Sequence, residues 1–476
     1  MEWTDALRDF IQAHLNNDTA ELLLAARKYP DIDVPFAVEQ IEARKRLKGK
    51  LPEWYGNADL IMAGRVPAEQ CSSELTARYK RNIIKGKSLC DMTGGMGVDF
   101  WYMSEGMERA IYTERSEWLC EVAKHNFQML QTLPSPSLQG GSSISANEGT
   151  NGETSEQSNH SLPVGRVRGG SAVRGVSVRC GDGRELPIPS VDVIYLDPAR
   201  RAGDGSRVYA MEECEPNIVE WQGELLSHAQ MVLVKLSPMV DLTDVLRKLK
   251  GVTEVHVVAV KNECKEVLVK QETLPSPSLQ GGGNISANEE TNGETDEQGN
   301  HSLPAGRVRG VSAVGGVSAV IHCVDFLASS ALHYTTKFPD EMEVLVSVGG
   351  VKHYLYEPDV TLMKAQAFGS LCHRFNVRQL EIGTHLMTSD EFIPDFPGRI
   401  FEVEEQMPFS SKILKRLKKE IPQANIATRN FMLTADELRK KTGIKDGGEV
   451  YLFGAKVKDV GQMLLKCRKK VVTSHP

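Results

Sequence analysis

The stretch that most constrains this chain is Ser88 to Asp99, S-L-C-D-M-T-G-G-M-G-V-D. A short apolar run ends in Asp91, and Gly94, Gly95 and Gly97 follow before a second acid, Asp99, opens a helical pattern. Strand, glycine turn and helix in this order form a cradle for a nucleotide-type ligand. Glycines turn the backbone sharply and let a ligand approach where a Cβ would otherwise stand. The ligand then lies at the carboxyl end of the strand, beside a helix N-terminus.

The residues around the glycines bear on which ligand. A dinucleotide fingerprint requires G-x-G-x-x-G. Counting from Gly95, Phe100 stands where the third glycine belongs. Asp91 and Asp99 would repel a pyrophosphate but suit an ammonium or sulfonium, which favours S-adenosylmethionine (SAM) over NAD. Downstream, the strand-like Ala110-Ile111-Tyr112-Thr113 ends at Glu114, 23 residues after Asp91. An acid at about that distance, on the tip of the second strand, is placed to bind ribose hydroxyls.

Strands and helices then alternate, and the pattern is broken twice. Residues 133–178 and 274–320 are rich in Ser, Gly, Pro and Asn, and each opens with L-P-S-P-S-L-Q-G-G and closes near R-V-R-G at a constant offset of 141. Two copies do not make a solenoid. With few aromatics neither copy can form a core, so both read as flexible insertions in surface loops. Without the first, Val176 to Cys180 becomes a third strand, and Asp182 just past its tip is placed to accept from an adenine amino group. A buried strand from Val191 to Leu196 ends in Asp197-Pro198-Ala199-Arg200. Two more strand and helix repeats follow, then a hairpin around residues 261–265. This predicts a doubly wound α/β sheet with a reversed edge. The expected domains are a helical region over 1–85, the sheet over 86–335, and small α+β modules over 336–402 and 403–476. Expected elements include one helix over 69–80, another over 362–371 and a strand over 343–348.

Asp91-Met92-Thr93-Gly94-Gly95-Met96-Gly97, Glu114, Asp182 and Asp197-Pro198-Ala199-Arg200, in this order, resemble the motifs of class I SAM-dependent methyltransferases, with a Rossmann-like sheet. As a whole the chain resembles bacterial methyltransferases that carry a helical N-terminal region, a ferredoxin-like module and a C-terminal THUMP-like domain. Further segments carry that likeness: E-Q-C-S-S-E-L-T-A-R-Y-K (69–80), Y-L-Y-E-P-D (354–359), F-P-G-R-I-F (396–401), N-I-A-T-R-N-F (425–431) and D-G-G-E-V-Y-L-F (446–453). The resemblance implies that Asp91, Thr93 and the Gly94, Gly95 and Gly97 backbone hold the methionine end of SAM. It also implies that Glu114 holds the ribose and Asp182 the adenine. Asp197, Pro198 and Arg200 would orient the methyl acceptor. Amino-methylating relatives have a second Pro and an aromatic where this chain has Ala199 and Arg200. Arginine can stack on a base or pair with a phosphate. An Arg here also fits uracil C5 methylation, which needs a cysteine nucleophile. Cys214 and Cys264 are the cysteines near that part of the sheet, and both read as ordinary thiols.

THUMP-type domains bind RNA, usually tRNA, and charge distribution fits that partner. Residues 401–476 hold 16 Lys and Arg against 9 Asp and Glu, although the chain as a whole carries −7. Lys412, Lys415, Arg416 and Lys419 lie on one amphipathic helix, and 466–470 reads K-C-R-K-K. Such clusters give salt-dependent phosphate binding; a solvated helical face is the plain alternative. The nine cysteines include no C-x-x-C, the histidines show no ligand spacing, and no apolar run reaches a membrane span or a secretion signal. A reduced cytoplasmic protein without membrane or metal is expected. The reading is a SAM-dependent methyltransferase acting on a base of structured RNA, tRNA or rRNA. A methyltransferase for a protein or small molecule, and an RNA-binding protein with an impaired catalytic domain, are the alternatives.

Overall fold

A buried arginine organises the first residues of the fold. A computed structural model describes residues 3–132, 175–199, 210–273, 318–327, 330–338 and 346–471. Helices α1 (Asp5–Ala13), α2 (Thr19–Leu24), α3 (Val34–Leu47), α4 (Pro52–Gly56), α5 (Arg65–Gln70) and α6 (Glu74–Ile83) come first. Asp18 caps α2 through the Ala20 and Glu21 amides, and Asp33 caps α3 through Phe36. Arg44 of α3 is fully buried and donates to the carbonyls of Asn57, Ala58 and Leu60, fixing the irregular stretch that follows α4. A buried guanidinium needs such acceptors, because the penalty for leaving its donors dry is several kcal/mol, roughly. The helix expected over 69–80 divides at Cys71-Ser72-Ser73. Ser73 turns its hydroxyl onto the Thr76 amide and starts α6 anew. The break leaves Ser72 buried and facing the sheet.

The large sheet is built from β1 (Ser88–Asp91), β2 (Arg109–Glu114), β3 (Val176–Cys180), β4 (Val191–Leu196), β5 (Ala229–Leu236), β6 (Val252–Val260), β7 (Glu263–Glu272), β8 (Ala319–Phe326) and β9 (Ala331–Phe338). Its order is β3-β2-β1-β4-β5-β7-β6-β8-β9. The first five in that order run parallel, and β7 lies antiparallel between β5 and β6. Helices α7 (Val98–Met103), α8 (Glu117–Thr132), α9 (Ile218–His228) and α10 (Leu242–Lys248) connect the strands. The order reverses between β1 and β4, so the glycine loop after β1 and Asp197 after β4 open at one switch point. The hairpin is tighter than expected: Lys261 and Asn262 alone make the turn, both at positive φ, and Glu263 already lies in β7. The sheet also does not end there. β8 pairs parallel with β6, and β9 pairs antiparallel with β8. The ends of both repeats are strand, with Val176 to Val178 in β3 and Ala319 and Val320 in β8; residues 133–174 and 274–317 lie outside the described residues.

A second sheet holds β10 (Tyr354–Pro358), β11 (Arg378–Gln379), β12 (Met387–Ser389), β13 (Gly398–Pro408), β14 (Asn425–Arg429), β15 (Val450–Val457) and β16 (Gly461–Lys470). Its order is β11-β12-β10-β13-β16-β15-β14. α11 (Val360–Lys364), α12 (Phe368–Phe375), α13 (Ser411–Glu420) and α14 (Ala435–Thr442) accompany it. The helix expected over 362–371 is broken where Gln366 takes a φ of 55°. Of the expected strand at 343–348, residues 343–345 lie outside the described set, and Val348 makes only a bridge to Gln379. β13 pairs with β10 on one side and β16 on the other, so a boundary after residue 402 falls inside a strand. Three of the resembling segments meet here. Glu357 of Y-L-Y-E-P-D is 2% exposed and pairs with Arg399 of F-P-G-R-I-F and, at 2.6 Å, with Arg429 of N-I-A-T-R-N-F. One buried acid thus ties β10, β13 and β14 together, since it can stay charged only while paired.

The two sheets also share a hydrophobic core. Tyr356, Leu362, Leu371 and Phe396 join Leu225, Val234, Val257, Val267 and Ile321 in one buried cluster. All five tryptophans lie at or before Trp221. Their fluorescence therefore reports on the first sheet and the N-terminal helices. Leu371→Ala should cost about 2–5 kcal/mol. Because the core is continuous, the tryptophan transition in urea should move to lower concentration with it. An unchanged tryptophan midpoint would show that the two halves unfold independently.

Candidate functional site

The glycine loop is held from both sides. The Met92 amide donates to the Tyr195 carbonyl (3.0 Å) and the Gly94 amide to the Thr113 carbonyl (2.9 Å), so β4 and β2 each grip it. A Cβ on Gly94 would stand 2.2 Å from the Tyr112 ring, and Gly97, at φ 81°, lies against Phe127. The loop must therefore be glycine at these points for steric reasons alone. Tyr112 donates its hydroxyl to the Gly95 carbonyl (2.5 Å), and the Gly95 amide donates to Glu114 Oε2 (2.8 Å). The ribose candidate Glu114 thus also stiffens the loop.

Asp91 is buried and accepts from the Thr93 amide at 2.9 Å. Among the described residues no cation pairs with it. Burial pushes its carboxyl well above the ordinary range; the Thr93 amide offsets this in part, and the acids Asp99, Asp197 and Glu114 add to it. Such a group gains most from a ligand that brings a positive charge. Thr93 also accepts the Asp197 amide on Oγ1 at 2.6 Å, linking the loop to the Asp197-Pro198-Ala199 stretch. The backbone after Pro198 is clamped by paired hydrogen bonds between Ala199 and Glu215 (2.7 and 3.0 Å). Asp182 sits past β3, but both its oxygens already meet Arg184, at 3.1 and 2.6 Å, which pulls its pKa down to about 2. An adenine amino group would share that carboxylate with Arg184. Arg200 lies outside the described residues.

Asp99 departs from expectation. It is not a free acid facing the ligand but the centre of a buried polar cluster. Lys80 of α6, fully buried, reaches Asp99 at 3.2 Å and both oxygens of Glu266 at 2.6 and 2.7 Å. Lys235, near the end of β5, reaches Asp197 Oδ2 at 2.5 Å and Asp99 at 3.5 Å. Ser72 and Tyr195 each donate to Asp99 at 2.8 Å. Burial alone would raise the Asp99 pKa, but the two lysines and two hydroxyls hold it well below the ordinary range. Burial would lower Lys235, but Asp197, Asp99 and Glu266 hold it above the usual lysine range. With Asp99 neutralised, Asp91 is the acid left to meet a cation. Sequence reasoning missed Ser72, Lys80, Tyr195, Lys235 and Glu266. One signal was there: a lysine in the otherwise apolar strand Met231 to Leu236 needs a buried partner.

Beside the cluster a small pocket is lined by Asp197, Pro198, Lys235, Ser237, Pro238 and Lys265. Cys264 is a poor nucleophile, its thiol pushed up to about 12 by burial. Elsewhere the fold brings Glu254, His256 and His322 together, with ligating atoms within 4.8 Å of one another. That group is already a closed hydrogen-bond system: Lys270 holds Glu254 at 2.8 Å, and the His256 ring meets Tyr79 at 2.8 Å and Glu254 at 3.1 Å. A cation already occupies the carboxylate there.

On the second sheet, Lys412, Lys415 and Lys419 of α13 are exposed. Arg416 is not free, pairing with Glu405 (2.6 Å) and Glu420 (3.4 Å). The basic run at 466–470 is largely neutralised across the strands: Lys466 and Arg468 pair with Glu404, and Lys470 with Glu402. None of the nine cysteines forms a disulfide, and no described helix is long and apolar enough to cross a membrane.

A THUMP domain-like family model matches residues 398–469 and a ferredoxin-like domain model matches 354–397. Their junction is Gly398, where β13 begins. The solved structure of a Porphyromonas gingivalis W83 protein, named as a methyltransferase, is 30% identical, covers 99% of this chain and 100% of its own, and gives a TM-score of 0.75. A Pyrococcus horikoshii structure assigned as an RNA methyltransferase is 16% identical, covering 37% of this chain and 58% of its own, with a TM-score of 0.19. The Pyrococcus abyssi tRNA (uracil-54, C5)-methyltransferase in complex with S-adenosyl-L-homocysteine is 12% identical, covering 45% and 40%, with a TM-score of 0.24. At those last two scores the likeness carries no argument. No curated protein sequence matches.

The buried cluster yields a stability test. Lys80→Met leaves Glu266 buried without its main partner and should cost about 3–5 kcal/mol. Adding Glu266→Gln removes the stranded charge and should restore a good part of that. Chemical denaturation of the two variants checks it, and an equally unstable double variant would show that the pairing is not the source of the loss.

Proposed function

The chain belongs to the methyltransferase family represented by the Porphyromonas gingivalis protein, and from that premise we propose that it is SAM-dependent and methylates a base of structured RNA. The observation that carries the proposal is the pairing of two carboxylates across the switch point. Asp91 is buried with no cation beside it among the described residues, and Asp197 opens onto the adjoining pocket.

The residues fit the proposed cofactor. Asp91 supplies negative charge for an ammonium, the glycine loop supplies close backbone approach, and Glu114 supplies a carboxylate for ribose hydroxyls. SAM, when bound, supplies an electrophilic methyl carbon. The protein's own task is then positioning. Asp197 accepts an N–H of the methyl acceptor and orients its nitrogen, and the clamped Pro198-Ala199 backbone holds that carboxylate in place. Holding reactants in a near-attack arrangement supplies much of the barrier reduction in such a transfer. RNA is supported by the THUMP-like match and by the exposed lysines of α13, which lie within the matched segment. A protein of this kind would need no membrane, in keeping with a cytoplasmic place.

Proton linkage tests the cofactor assignment. A carboxyl raised well above its ordinary value of about 4 keeps its proton at pH values where a free aspartate has lost it. A bound cation favours the ionised form. SAM binding should therefore release a proton, and affinity should rise with pH through the raised range. Calorimetry in two buffers of different ionisation enthalpy reads this directly. Asp91→Asn should remove the release and weaken binding at least roughly tenfold, as expected when a charge-assisted hydrogen bond of ~1.4 kcal/mol or more is removed. Binding with no buffer dependence would remove Asp91 from the cofactor site.

The substrate assignment is tested by tritium transfer from labelled SAM to total RNA of a bacterial strain lacking the protein. Label lost on nuclease treatment is expected, and label lost only on protease treatment would move the acceptor to protein. Asp197→Ala should stop transfer while leaving SAM binding nearly intact. Reversing Lys412, Lys415 and Lys419 to Glu should raise the KM for RNA and flatten its salt dependence, by roughly 0.7–0.9 in log–log slope for each phosphate no longer neutralised. An unchanged KM would place RNA binding elsewhere.

A further inference from the structure

Asp197 is held at two points. Its amide donates to Thr93 Oγ1 at 2.6 Å, and its Oδ2 accepts from Lys235 at 2.5 Å. Among the described residues Oδ1 has no hydrogen-bond partner. Lys235 is itself fixed. Its side chain is only 12% exposed, and its ammonium also contacts Ser72 Oγ at 3.3 Å and Asp99 Oδ2 at 3.5 Å. Asp99 is in turn pinned by Lys80, Tyr195 and Ser72. A flexible four-carbon side chain with its head so constrained is a rigid strut, not a mobile surface charge. Such support is what keeps a reacting carboxylate within a fraction of an ångström of its working position.

We propose that Lys235 is a positioning residue of the acceptor site: its ammonium, braced by Asp99 and Ser72, fixes Oδ2 of Asp197 and leaves Oδ1 for the methyl acceptor. The proposal rests on the reading of Asp197 as the acceptor-orienting carboxylate. Lys235 is paired, so it does not itself bind an anionic substrate group; Lys265, across the pocket, is paired with Glu263 at 2.7 Å. The bracing also reaches beyond the sheet. Ser72 lies in the break before α6, so the N-terminal helices help to set the acceptor carboxylate.

The test compares wild type with Lys235→Met and Lys235→Arg in the full chain. The acceptor is a whole extract of a strain lacking the protein, and total label from tritiated SAM is scored before any nuclease or protease step. Lys235→Met should cut turnover at saturating extract roughly a hundredfold, the scale set by an ångström of misplacement. The SAM dissociation constant, measured separately, should stay within about twofold. Lys235→Arg, which keeps the charge, should recover part of the rate. If Lys235→Met does not melt cooperatively, Lys235→Gln takes its place. Wild-type turnover in the uncharged variant overturns the proposal. So does a loss confined to SAM affinity, which would assign Lys235 to the cofactor instead. Protease-sensitive label would sink the RNA reading and leave the Lys235 comparison fully readable. No transfer by the wild type at all would overturn both.

Discussion

The interaction on which the rest depends is the buried pairing of Lys80 and Lys235 with Asp99, Glu266 and Asp197. These charges lie at or near the carboxyl ends of the central strands, three of them almost wholly out of water. Ions in such a place persist only if each finds its counter-ion in good geometry. The cluster draws on α6, α7, β5, β7 and the loop after β4. Those elements cannot shift independently without stranding a charge. Asp197 and Lys235 also line the pocket, and Asp197 is 39% exposed where Lys80 is sealed. The same array therefore serves as scaffold on its inner side and as a wall of the pocket on its outer side.

A second buried acid repeats this logic in the C-terminal half. Glu357 brings together three strands that are far apart in sequence, with Arg399 and Arg429 as its counter-ions. Around it the hydrophobic core runs on from the first sheet into α11 and α12. Charge distribution along the chain looks different once these pairs are counted. Much of the basic surplus after residue 400 is answered across β13 and β16 by Glu402 and Glu404. Of the exposed lysines left without an ion pair among the described residues, Lys412, Lys415, Lys418 and Lys419 stand together on α13, while Lys440, Lys441, Lys445, Lys458 and Lys469 are spread over the rest of the module.

Local signals were legible where a single short stretch carries them. The glycine loop and the acid at the end of β2 depend on neighbours within a few residues, and they stand where the pattern put them. Elements were misread where a distant partner decides. The 69–80 segment has an unbroken helical pattern, yet Ser73 starts a new helix and leaves Ser72 to Asp99. β8 begins at the end of a repeat and gains its place by pairing with β6 and β9. β16 reads as a basic run because its acidic partners lie more than 60 residues earlier.

By itself the sequence determined the alternation of strands and helices from β1 to β7, the switch-point loop and the identity of the two acids, Asp91 and Asp197, that flank it. These follow from periodicity and from glycine sterics, which act over one or two turns of chain. It did not determine the fate of each charge. Asp91 and Asp99 look alike from the sequence, both framing the same glycines. Folding leaves Asp91 buried without a cation among the described residues, and surrounds Asp99 with two lysines from α6 and β5. Only the tertiary structure could make that distinction, because the energy of a buried charge is set by which opposite charges lie within a few ångströms, and those come from residues far along the chain.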